Sequence, residues 1–130
     1  MDIFDYFESL QRSIRQNHTI GFLEDPVIAQ AFDAYRGLFR ARVFFWDGSY
    51  LTVDEIIDTE TGYPEIVRYS YTYVKDDEHI FRYDNAPHYP DLANFPHHKH
   101  VGLNEIPQAS EQPTLNQIFK EIEQFLTASD

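Results

Sequence analysis

Residues 38–54 constrain this chain more than any other stretch. From Leu38 the period is two: Phe39, Ala41, Val43 and Phe45 alternate with Arg40, Arg42 and Phe44. Trp46-Asp47-Gly48 follows, with glycine where a three-residue hairpin loop needs a positive φ. This register pairs Val43 with Leu51 and Ala41 with Val53 on one face. It pairs Arg40 with Asp54 and Phe44 with Tyr50 on the other. A two-residue Asp-Gly turn would set Arg42 opposite Val53 and mix the faces, so it is rejected.

The rest of the chain is read around that hairpin. Ile3, Phe7, Leu10 and Ile14 form one stripe of a helix over 2–16, with acids near its start and Arg12 and Arg15 near its end. Asp25-Pro26 reads as an N-cap and first helical position, which predicts a second helix lined by Val27, Ala31 and Tyr35 and stopped by Gly37. Residues 66–74 predict a third strand, with Val67, Tyr69, Tyr71 and Tyr73 on one face. Residues 75–78 make a polar turn, and His79 to Asp84 a fourth strand. Residues 85–113 carry five of the seven prolines and read as a long loop, a length that is either functional or disordered in a small domain. Thr114 and Gln117 form a capping box for a last helix with Leu115, Ile118, Ile122 and Phe125 on its stripe. The expected fold is α+β: an antiparallel meander of about four strands, two N-terminal helices, a His/Pro-rich loop and one C-terminal helix. With 130 residues, residues 1–130 are expected to make a single domain around one core.

Charge narrows the function. The formal net charge is -12, which speaks against a broad basic surface along a duplex. The acidity is even along the chain, yet residues 79–100 escape it. Their charged residues are Arg82, Asp84, Asp91 and Lys99, and four of the six histidines (His88, His97, His98 and His100) fall in 88–100. There is no cysteine, which excludes disulfides and thiolate zinc sites. No apolar run approaches a membrane span, and the N-terminus lacks the basic start of a secretory signal. The expected compartment is the cytoplasm.

Histidines gain and lose protons near neutral pH, so two of them can serve as base and acid in one turnover. A nearby cation can neutralise charge developing on a phosphate. The candidate catalytic set is therefore Arg82, Tyr83, Asp84, His88, His97, His98, Lys99 and His100. Arg40, Arg42, Arg68 and Asn85 are the candidate substrate-binding residues. Such a set suits cleavage of RNA without a cofactor, in which the 2′-hydroxyl attacks the neighbouring phosphorus. A metal site is the chemical alternative, because His98-x-His100 puts two imidazoles on one side of a strand, with His88 or Asp84 as a third ligand. A bland reading stands beside both: a His- and Pro-rich loop is often only solvated, and His18 and His79 are read that way. The tyrosine stripe is read as core or rim, and Asp54, Glu55, Asp58 and Glu60 as a solvated strand face.

These segments resemble a known family. Tyr69-Ser70-Tyr71, the run from Phe81-Arg82-Tyr83-Asp84-Asn85 to His88, and the run from Phe95-Pro96-His97-His98 to Gly102 are similar to the TumE family. Phe4-Asp5-Tyr6-Phe7 and Asp47-Gly48-Ser49 are similar as well. Many members have His where this chain has Tyr89, and often His where it has Thr72. The resemblance implies a bacterial, cytosolic toxin that works with a cognate antitoxin encoded next door. Small toxins of this size and α+β shape often cut RNA, so fold-level analogy points to a ribonuclease. The acidic, aromatic surface leaves open a module that binds a partner protein without turnover.

Overall fold

The computed structural model describes residues 1–17, 19–102 and 106–126. Asp2 caps the first helix, α1 (Ile3–Arg15), and Asp5 completes the box. Its expected stripe of Ile3, Phe7, Leu10 and Ile14 is buried. Eight strands follow: β1 (Ile20–Leu23), β2 (Ile28–Ala31), β3 (Arg36–Phe45), β4 (Tyr50–Asp58), β5 (Glu65–Lys75), β6 (Glu78–Asp84), β7 (His98–Val101) and β8 (Ile106–Ala109). The last element is α2 (Leu115–Glu123), capped by Thr114 and Gln117 as expected. The strands form one antiparallel sheet in the order β1-β3-β4-β5-β6-β7-β8, with β2 also paired to β3.

The expected hairpin register is observed. Val43 faces Leu51, Ala41 faces Val53, Arg40 faces Asp54 and Phe44 faces Tyr50. Gly48 takes φ +87° at the turn. The β5–β6 turn is equally local: Asp76 and Asp77 both have positive φ, and Lys75 pairs with Glu78, the geometry of a two-residue primed turn.

The expected count of strands and helices is corrected. The sheet has eight strands rather than about four, and there is one N-terminal helix rather than two. The segment read as a second helix is β2, hydrogen-bonded along β3 from Ile28–Arg40 to Ala31–Gly37. Val27, Ala31 and Tyr35 fit a helical stripe by spacing alone, but Asp33 turns the chain back at once. Its carboxylate accepts from the Tyr35 and Arg36 amides at 2.8 Å each, and the Phe32 amide reaches the Arg36 carbonyl. β1 and β2 are two halves of one edge strand on β3, interrupted around Pro26, which has no amide to give the ladder. Gly37, read as a helix stop, lies inside β3. The long loop is also shorter than expected, because it contains β7 and β8.

Both helices pack on one face of the sheet. That face is lined by Phe39, Val43, Leu51, Val53, Tyr71, Tyr73 and Phe81, all buried with Ile118 and Ile122 of α2. Each such side chain contributes on the order of 1.5–3 kcal/mol. The opposite face is open and polar in the middle. Register aligns Arg42, Thr52, Thr72, Arg82 and His100 in one cross-strand row, and Arg40, Asp54, Ser70, Asp84 and His98 in the next. Among the described residues no helix is long and apolar enough to cross a membrane.

Candidate functional site

The two polar rows end at β6 and β7. Antiparallel pairing sets Arg82 opposite His100 and Asp84 opposite His98. Strand alternation then puts these four side chains together on the open face. Asp84, His98 and His100 are 8%, 2% and 5% exposed. The Asp84 carboxylate is the hub. Its Oδ1 lies 2.7 Å from His98 Nε2 and accepts from the Ala86 amide at 3.1 Å. Its Oδ2 accepts from Arg82 Nε at 3.1 Å and lies 3.7 Å from His100 Nε2.

The hydrogen on His98 can be placed by elimination. Its Nδ1 is 2.9 Å from the Pro96 carbonyl, which can only accept, so Nδ1 carries a hydrogen. A carboxylate at Nε2 also accepts. The His98–Asp84 contact therefore needs one proton more than a neutral imidazole and a carboxylate hold between them, or a cation in that proton's place. Tyr89 roofs the pair: its ring meets His98 edge-on at 5.2 Å and His100 at 5.9 Å. Tyr89 is itself 41% exposed, so it stands between the cluster and solvent. Thr72, the other position where the resemblance implied His, lies directly opposite Arg82.

Other predicted site residues lie elsewhere. Tyr83 and Lys99 pair with each other on the helix-covered face, across the sheet from the histidines. The Tyr83 hydroxyl donates to Glu121 Oε1 at 2.5 Å and Lys99 Nζ to Glu121 Oε2 at 2.6 Å. Burial alone would lower the Lys99 pKa, but its bonds to Glu121 and Tyr83 outweigh it and hold it raised. His97 also faces away from the cluster, with Nδ1 2.9 Å from the Tyr69 hydroxyl. Asn85 spends its amide on the backbone: Oδ1 accepts from the Tyr69 amide and Nδ2 donates to the Val67 carbonyl. His88 is exposed and touches Tyr89. Among the described residues the group with metal-ligand spacing is Asp84, His98 and His100, their ligand atoms within 4.8 Å of one another; Asp84 is its third member rather than His88. Arg40, Arg42 and Arg68 do share the open face. Arg40 is ion-paired with Asp54. His79 is exposed, and His18 lies outside the described residues.

One polar residue overturns its expected setting. Glu55 is 1% exposed, not part of a solvated face. Its two oxygens accept from the hydroxyls of Tyr6 at 2.6 Å and Tyr71 at 2.7 Å. Burial raises its pKa, and burial beside that carboxylate raises both tyrosines. The signal was present: Leu51, Val53, Glu55 and Ile57 share one parity along β4. Asp58 does lie outside, bonded to Arg36 at 3.0 Å, and Glu60 meets the same guanidinium at 2.8 Å. The tyrosine stripe is core, as read.

A single antiparallel sheet with helices on one face and a buried carboxylate–imidazole cluster opening toward the other defines a small α+β protein with one polar centre. A model of the family described as toxin TumE matches residues 10–128, and the chain belongs to that family. It is thus a toxin component, and a toxin of this kind has an antitoxin as its partner. No curated protein and no solved structure matches the chain.

Proposed function

We propose that this toxin cleaves RNA at the Asp84–His98–His100 cluster, without a metal, in the cytoplasm of a bacterium that encodes its antitoxin next door. The observation that carries the reading is the His98–Asp84 contact at 2.7 Å with the far nitrogen pinned to the Pro96 carbonyl. It fixes the ring and keeps an exchangeable proton at its inner edge. In the reaction one histidine of the pair takes the proton of the 2′-hydroxyl as that oxygen bonds to phosphorus. The phosphorus–O5′ bond breaks, and the second histidine returns a proton to the leaving oxygen. The products are a cyclic phosphate and a free 5′-hydroxyl. Arg82 is placed to meet the charge that builds on the phosphoryl oxygens. Tyr89 has to swing aside for the phosphate to enter.

The test is to incubate the purified toxin with RNA in excess chelator. Cleavage by the wild type, lost in His98→Ala and His100→Ala, is the expected result. Intact RNA in every sample, with toxicity in cells unaffected by the substitutions, overturns the reading. A stable antitoxin-independent complex with another protein, and no RNA product, would replace it with a binding module.

The same geometry supports a second reading. A histidine whose Nδ1 is held by a backbone carbonyl presents Nε2 as a ligand, and Asp84, His98 and His100 have the spacing for a transition-metal ion. A hydrolase of that kind holds about one cation per chain by elemental analysis of untagged protein. It loses cleavage in chelator and regains it on reloading.

A further inference from the structure

The open sheet face carries a second feature that the cluster does not use. Phe22 of β1, Phe44 of β3 and Tyr50 of β4 stand in one cross-strand row on this face. Phe22 and Phe44 stack with centroids 4.8 Å apart and planes 9° from parallel, and Phe44 meets Tyr50 at 5.3 Å. Phe22 is 57% exposed. Solvent-facing aromatic rings in a ladder are costly to leave bare unless something covers them. The Arg42 guanidinium lies 4.6 Å over the Tyr50 ring, so the shelf ends in a cation. The next row runs from Arg42 through Thr52, Thr72 and Arg82 to His100. Beside it, Arg40 and Arg68 border a hollow of about 310 Å³ with Asp54 and Ser70.

We propose that this face is a track for single-stranded RNA, with bases stacked on Phe22, Phe44 and Tyr50 and the backbone crossing Arg42 toward His100. The proposal rests on RNA being the substrate and names its form. Three strand spacings separate Tyr50 from β7, about 14 Å, a span of a few nucleotides. Stacking accepts any base and draws little on phosphate charge, which suits a chain of net charge -12. A duplex hides its base faces and needs the broad basic surface this protein lacks. A protein ligand would have no reason to be led along hydroxyls and guanidinia into a histidine cluster.

The probe is a fluorescein-labelled 2′-O-methyl hexauridylate, which lacks the attacking hydroxyl and cannot be cut. Binding is therefore read separately from cleavage. Anisotropy titrations compare the wild type with Phe22→Ala, Phe44→Ala and Phe22→Trp. Each alanine variant should weaken binding about tenfold, Phe22→Trp should retain it, and a duplex of the same length should compete poorly. Far-UV circular dichroism confirms that the variants fold. Affinity unchanged in both alanine variants, or duplex bound more tightly than the single strand, overturns the track even if the toxin cuts RNA. So does loss of antitoxin binding in Phe22→Ala with RNA binding intact. Phe-dependent binding without any cleavage of natural RNA upholds the track and removes the nuclease reading instead.

Discussion

The Tyr71 hydroxyl donates to Glu55 at 2.7 Å, joining β5 to β4 beneath the N-terminal helix, while Tyr6 of that helix donates to the other carboxylate oxygen at 2.6 Å. One buried acid thus ties three elements together.

That acid makes stability depend on pH. Burial raises the folded-state pKa of Glu55. The stabilisation this gives is complete below the unfolded value of about 4.3 and is lost as pH rises through the raised folded value. Urea midpoints of the wild type should fall across that window, and Glu55→Gln should show a smaller fall, so the variant gains on the wild type as pH rises. Parallel curves would reject this. Glu55→Ala leaves two tyrosine hydroxyls unsatisfied and should cost roughly 2–4 kcal/mol.

Gly37 is where the first helix comes closest to the sheet. A Cβ there would lie 2.7 Å from the Gln30 carbonyl oxygen, 2.8 Å from Phe7 Cζ and 2.9 Å from Ile3 Cγ1. Gly37→Ala should destabilise by about 1–3 kcal/mol, read as a lower thermal midpoint. An unchanged midpoint would mean that α1 shifts freely.

Lys99 separates a latch from a catalyst. Lys99→Met leaves the half-buried Glu121 carboxylate without its cation, which should cost about 1–3 kcal/mol of stability. Cleavage per folded molecule should remain. Full stability with activity gone would instead place Lys99 in the chemistry.

Asp84→Asn keeps the volume of the hub but cannot accept from both His98 and Arg82 as a carboxylate does. RNA cleavage should fall by about 10²–10⁴ while circular dichroism stays native. Wild-type rates in this variant would move the reaction away from the cluster.

Local signals made much of this fold readable. The β3–β4 register follows from alternation plus one glycine, and both helix caps from side chains within three residues of each other. Residues 27–35 misled because a four-residue strand and a helix stripe share spacings, and the pairing partner that decides between them lies in β3. β7 and β8 are held by long-range pairing and contain His98, His100 and Pro107, which carry little strand preference of their own. The site was half legible: His98-x-His100 marks a common side, and the contact with Asp84 needed the β6–β7 register. The setting of Glu55 was present in the parity of β4 and was masked by its charge.

β7 is four residues read from two sides, and this gives the toxin a built-in check on its own assembly. A slip of one residue along β6 would turn Lys99 into the cluster and both histidines into the core, breaking the Glu121 latch and the Asp84 hub together. The ion pair with α2 can close only when the histidines are correctly placed. Length changes between Asp84 and His98 are therefore absorbed by the connecting segment, whereas a single insertion between His98 and His100 would disarm the protein outright.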